Sequence, residues 1–168
     1  VIGRILLAAG QIPVDRESTH ASKALDHAVA ALKAGHLIGI YPEGTLTRDE
    51  NLWPMIAKTG AARLALITRL PIIPVAAWGI GDVLAPYNKI PHIWPRSKIT
   101  LRAGKPIDMS LWYGKEDDPE ALAQATLHIM GELTTMLEDI RGEKRPAQIF
   151  DPHTSDLPRT GNFKKKRT

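Results

Sequence analysis

The chain has 168 residues, no cysteine and a formal net charge of +4. That length fits one domain with a tail and suffices to bury a core without disulfides or metals. Its 43% hydrophobic and 24% charged residues exclude collagen-like and wholly disordered classes. No run approaches the roughly 18 apolar residues of a membrane span. No N-terminal signal pattern is visible, and the missing cysteines exclude thiol chemistry without fixing a compartment. The charge is uneven. Residues 1–140 carry 14 Lys and Arg against 15 Asp and Glu, whereas residues 141–168 carry 8 against 3. The basic balance therefore belongs to the end of the chain.

In chain order, residues 1–16 read as a short apolar helix or turn (Ile2, Ile5, Leu6) leading into a strand, Gln11-Ile12-Pro13-Val14. Pro13 suits an edge or bend. Residues 19–34 read as an amphipathic helix with Leu25, Val29 and Leu32 on one stripe and Gly35 as its stop. Leu37 to Tyr41 is a short apolar run of the kind found in buried strands. It ends at Pro42-Glu43-Gly44-Thr45. A second helix is predicted over about Lys58–Thr68, broken by Pro71, and strands over Ile72–Trp78 and Lys98–Ala103. The strongest helix signal follows Asp118. An N-cap, Pro119 and Glu120 open it, and Leu122, Ala125, Ile129, Leu133, Met136, Leu137 and Ile140 recur at helical spacing. Arg141 and Gly142 close it. Strands alternating with helices predict a single α/β domain over residues 1–142, with a mixed, mostly parallel sheet flanked by helices. Residues 143–168 read as a basic tail with little structure of its own.

The common nucleotide, metalloprotease and hydrolase motifs are absent, and the six histidines are scattered without metal-ligand spacing. Three segments stand out. Gly10 to Arg16 delivers an Asp15-Arg16 pair to a strand end, and the Arg16 fork suits phosphate or carboxylate. A surface ion pair is the plain alternative. Tyr41 to Asp49 runs a strand into a turn with Glu43, Gly44, Thr45 and Arg48. Ligands of open α/β sheets bind beyond strand carboxyl ends, and Gly44 would admit close backbone approach. The plain alternative is a strand-to-loop turn. Lys58 to Arg63 places Lys58 beside Gly60-Ala61-Ala62 at a helix start, where free amides favour an anion. There the alternative is a small-residue helix packed on a sheet.

Taken in order, these segments resemble the glycerophospholipid acyltransferase family, of the 1-acylglycerol-3-phosphate acyltransferase (PlsC) type. The family's second block resembles Gly10–Arg16. Its Phe-Pro-Glu-Gly-Thr-Arg-Ser block resembles Tyr41–Thr47, its Lys-x-Gly segment Lys58-Thr59-Gly60, and its fourth block Ile72–Ala76. The resemblance covers about residues 2–108 and implies a glycerol-3-phosphate acyltransferase-like fold.

It further implies transfer of a fatty acyl group from acyl-CoA or acyl carrier protein to a lysolipid hydroxyl, giving phosphatidic acid from lysophosphatidic acid, with no other cofactor and no metal. Arg16 would grip the acceptor phosphate, with Lys58 a second candidate. Glu43, Gly44 and Thr45 would form the acceptor pocket. Leu46 stands where the family usually has Arg, and Arg48 is the candidate to replace it. The family's catalytic His-x4-Asp is not in the sequence. The residues five after each histidine are Leu25, Leu32, Tyr41, Ser97, Leu133 and Pro158. The pair is expected upstream of Val1, in a segment that would also bring the protein to the cytoplasmic face of the membrane as a peripheral or anchored enzyme. A non-catalytic relative that binds anionic lipid is the alternative, as is another lysolipid acceptor. Lys164 to Arg167 suits membrane tethering or solubility; nucleic acid is not expected, since the body lacks a basic balance.

Overall fold

The computed structural model describes residues 21–88, 90–152 and 154. The predicted strand Gln11–Val14, the Asp15-Arg16 pair and the Lys164–Arg167 run lie outside the described residues. Within them the order is α1 (Ala21–Lys33), α2 (Gly60–Thr68), β1 (Val75–Trp78), α3 (Ile80–Val83), β2 (Thr100–Ala103), a 3-10 turn (Ser110–Trp112) and α4 (Pro119–Arg141).

The helices follow the sequence signals closely. On α1, Leu25, Val29 and Leu32 are half-buried around buried Ala28, so the stripe faces inward against α2. α2 starts at Gly60 and ends where Arg69 turns left-handed (φ 55°), two residues before Pro71. Its small and aliphatic face, with Ala62 and Leu66, meets Leu122, Ala125 and Ile129 of α4. Ile107 and Met109 complete that core.

α4 is closed at both ends. The Asp118 carboxylate accepts the Glu120 N–H at 3.0 Å, Pro119 needs no donor there, and Gly142 (φ 66°) returns its N–H to Glu138 O at 2.8 Å. Two threonines on its buried face, Thr126 and Thr134, donate to the carbonyls four residues back at 2.7 Å, so burial leaves neither hydroxyl unsatisfied. Asp118→Ala is expected to lower stability by about 1 kcal/mol through loss of the cap. Urea unfolding measures it, and an unchanged midpoint would show that Pro119 alone sets the start.

The sheet differs from expectation. Among the described residues it has two strands, paired antiparallel with Val75 opposite Ala103 and Trp78 opposite Thr100. The mostly parallel arrangement is not formed there. A parallel pair needs a long crossover, usually a helix. Here the β1–β2 connection holds only the four-residue α3 and folds back on itself, with His92 N–H donating to Val83 O. Both strands are shorter than predicted. Ile72 meets Ile107 only through an isolated bridge, with Pro74, which has no N–H, between that bridge and β1.

Leu37–Tyr41 has no regular structure and forms no ladder with any described residue. Leu37 and Tyr41 are 91% and 89% exposed. An apolar run becomes a strand only when a neighbour takes up its N–H and C=O groups. α4 packs against β1 and α2.

Candidate functional site

The site is built on two linked turns. In the first, Gly44 N–H donates to Tyr41 O at 3.0 Å, closing Tyr41-Pro42-Glu43-Gly44 with Pro42 at the position that favours its fixed φ. Gly44 itself is left-handed (φ 67°). Lys58 N–H then donates to Pro42 O at 3.0 Å, which ties the approach to α2 onto the turn. A Cβ on Gly44 would lie 3.4 Å from Lys58 Cε and 3.6 Å from its Nζ. A Cβ there would only touch the lysine, so what calls for glycine is the left-handed backbone. The outcome is an exposed ammonium lying alongside the Pro42–Gly44 turn.

Glu43 sits half-buried at the centre of this turn. Burial pushes its carboxyl up to about 7, while the Met55 backbone N–H, donating to it, pulls the other way. Its Oε2 accepts no hydrogen bond among the described residues, and no ion pair joins it to Lys58. At neutral pH the group is therefore divided between a carboxylate, which can accept from a hydroxyl, and a carboxylic acid, which can donate to a hydroxyl or a phosphate. Thr45 follows, half-buried, with a hydroxyl of the same double capacity.

The second turn is rigid by its own side chains. Asp49 Oδ1 accepts from the N–H groups of Asn51 and Trp53, both at 3.0 Å. Thr47 Oγ1 accepts from Asp49 N–H and donates to Trp53 O at 2.6 Å. These bonds hold Leu52 in a left-handed conformation (φ 62°) that a branched side chain rarely adopts.

Trp53 is buried, and Arg141 from the last turn of α4 lies over it at 4.0 Å. The other tryptophan beside that guanidinium is Trp78 of β1, at 4.1 Å, and Arg141 Nη1 donates to Asn51 O at 2.9 Å. One arginine thus joins the loop, the strand and the long helix through two cation–π contacts and a hydrogen bond. Sequence reasoning gave Arg141 only the role of a basic residue at a helix end. The stacking joins positions up to 88 apart, and the only local signal was its last-turn charge.

Of the expected residues, Glu43, Gly44, Thr45 and Lys58 are brought together. Arg48 is 2% exposed, inside the protein, so its placement lends no support to a surface phosphate contact in place of Leu46. Leu46 itself is 51% exposed. Arg16 lies outside the described residues.

The family described as Acyltransferase matches residues 1–78. The 1-acyl-sn-glycerol-3-phosphate acyltransferase of Bacillus subtilis is 33% identical over 106 residues, covering 63% of this chain and 47% of the relative. That of Haemophilus influenzae is 32% identical over 111 residues, covering 64% and 43%. The chloroplastic 1-acyl-sn-glycerol-3-phosphate acyltransferase BAT2 of Brassica napus is 29% identical over 85 residues, covering 50% and 24%. The chain spans less than half the length of these relatives. No solved structure matches it.

Proposed function

We propose, from the premise that this chain belongs to the acyltransferase family of the PlsC type through its residues 1–78, that the whole protein acylates 1-acylglycerol-3-phosphate. The donor is acyl-CoA or acyl carrier protein. The acceptor hydroxyl attacks the thioester carbonyl, the C–S bond breaks, and the thiol leaves with the proton that the hydroxyl gives up. The product is phosphatidic acid. The observation that carries this reading is the Pro42–Gly44 turn with the Lys58 ammonium alongside it. It offers a cation, backbone and a titrating carboxyl to one anionic acceptor. We assign the acceptor phosphate to Arg16 and Lys58, and the pocket beside it to Glu43, Gly44 and Thr45. Arg48 stays the candidate to replace the family's Arg at Leu46, from a buried position in the same loop. The general base is the family's His-x4-Asp, which the 168 residues do not contain. The acceptor is a membrane lipid, so peripheral contact with the cytoplasmic face of a membrane belongs to the same reading.

A charge-assisted hydrogen bond contributes about 1.5–3 kcal/mol. Arg16→Ala and Lys58→Ala in the full-length protein are therefore expected to raise the acceptor KM by at least about tenfold with little change in donor KM. Thiol release with acyl-CoA and with acyl carrier protein measures both. A second reading is anionic-lipid binding without turnover. Lysolipid binding with no thiol release from either donor would establish that reading and reject the enzyme.

A further inference from the structure

The connection between β1 and β2 carries a surface that the acceptor site leaves unused. Between Asp82 and Thr100 the sequence holds Lys89, Arg96 and Lys98 and no acid, although residues 1–140 as a whole hold one more acid than base. Every described residue from Ile90 to Arg96 is exposed. Three of them are large and apolar: Ile90, Ile93 and Trp94 are 76%, 75% and 79% exposed. Tryptophan is ordinarily well covered, so one this open, beside two bare isoleucines, has a use outside the core.

The base of the connection is held in place. His92 N–H donates to Val83 O, and α3 rests on the loop of the candidate site, where a Cβ on Gly81 would lie 3.7 Å from Leu52 Cδ1. Arg96 and Lys98 follow the apolar tip and are exposed.

We propose that residues 90–99 form an interfacial loop that docks on an anionic bilayer. Ile90, Ile93 and Trp94 enter the boundary between headgroups and acyl chains, and Arg96 and Lys98 meet the lipid phosphates. Trp is the side chain that prefers this boundary, and an apolar tip followed by cations is the pattern that binds there. Charge decides between occupants: an acid-free basic stretch complements an anionic lipid surface. Size agrees, because three side chains on a loop tip fall far short of the roughly 800 Å² per partner of a stable protein interface. The proposal rests on the lipid reading above for the presence of a membrane. Its experiment needs no turnover, so the two can fail separately.

The test is co-sedimentation of the full-length protein with vesicles of phosphatidylcholine alone and of an equimolar mixture with phosphatidylglycerol. Binding is expected to the mixed vesicles. Each cation near such a surface adds about fivefold to partitioning, so Arg96→Ala/Lys98→Ala is expected to weaken binding by about 25-fold at low salt. Ile93→Ser/Trp94→Ser is expected to weaken it at least about tenfold. Both pairs are exposed, and circular dichroism checks that each variant folds. Brominated lipids are expected to quench tryptophan emission in the wild type and not in Trp94→Phe. Wild-type sedimentation of both double variants would overturn the proposal. So would quenching that persists in Trp94→Phe, binding lost only when residues 159–168 are removed, or capture of a protein partner by this loop without any vesicle binding.

Discussion

Gly79→Ala is expected to remove a large part of the domain's stability. Gly79 follows β1 with φ 89° and ψ −4°, a left-handed conformation that costs a residue with a Cβ about 1–2 kcal/mol. The larger effect is steric. The added Cβ would stand 2.2 Å from the carbonyl oxygen of Lys98 and 3.2 Å from its carbon. Both atoms are backbone, so no rotamer change relieves the contact. Lys98 lies two residues before Thr100, which pairs with Trp78, so moving it apart opens the end of the only ladder among the described residues. Clash and strain together put the loss above about 4 kcal/mol, against a total of about 5–15 kcal/mol for a domain of this kind.

Thermal unfolding followed by circular dichroism should show a Tm lower by more than about 8 °C, at about 2–4 °C for each kcal/mol. Gly114→Ala is the control. Gly114 is also left-handed (φ 80°), but nothing lies within 4 Å of its added Cβ. Its loss should stay near the strain alone, about 1–2 kcal/mol. Equal losses in the two variants would mean that the β1–β2 connection yields freely.

Glu43→Gln is expected to stabilise the fold by an amount that grows from nothing at acid pH as pH rises. The Glu43 carboxyl is raised from 4.5 to about 7 in the folded chain, chiefly by burial. Between those values the folded state holds a proton that the unfolded state has released. Stability therefore falls as pH rises through that window, and the cost is complete above pH 7. The shift corresponds to at most about 3 kcal/mol, and partial exposure of the side chain lowers it. Glutamine keeps the shape and stays neutral.

The variant should therefore match the wild type near pH 4.5 and exceed it by about 2 kcal/mol at pH 8, read by urea unfolding at both values. Asp108 does not disturb the comparison. Its carboxyl is lowered, first by the Ser110 backbone N–H, so its contribution is lost only at acid pH below this window. A difference that does not vary with pH would show that Glu43 is charged and paired in the folded chain. If Glu43 also lines the acceptor pocket, the same substitution lowers turnover while raising stability, which separates its two roles.

The parts of the fold legible in the sequence are those fixed by neighbouring residues. Asp118, Pro119 and Gly142 mark the ends of α4 because caps act within one turn. Pro42 and Gly44 mark the turn of the site for the same reason, and the placement of Lys58 close to it was foreshadowed by the order of the motifs. What depends on distant partners was not legible. The aliphatic run at Leu37–Tyr41 signals burial, yet the pairing that would make it a strand is not supplied by any described residue. Strand direction in β1 and β2 follows from how the 79–99 connection folds back, which composition does not encode. Arg48 carries the charge of a surface residue and lies inside. Arg141 was visible as a charge, while the two tryptophans it stacks on belong to a loop and a strand far away in sequence.

Phe150 forms a parallel bridge with Met55, and its carbonyl accepts the Ile56 N–H at 3.0 Å. Met55 in turn supplies the N–H that Glu43 accepts. A truncation after Gly142, at the apparent end of the last helix, would strip the outer neighbour from the segment that steadies the titrating carboxyl. An affinity tag fused at that point would lie against the same segment. A junction for shortening or fusing this domain belongs beyond Thr154, whose N–H and hydroxyl both donate to the Asp151 carbonyl.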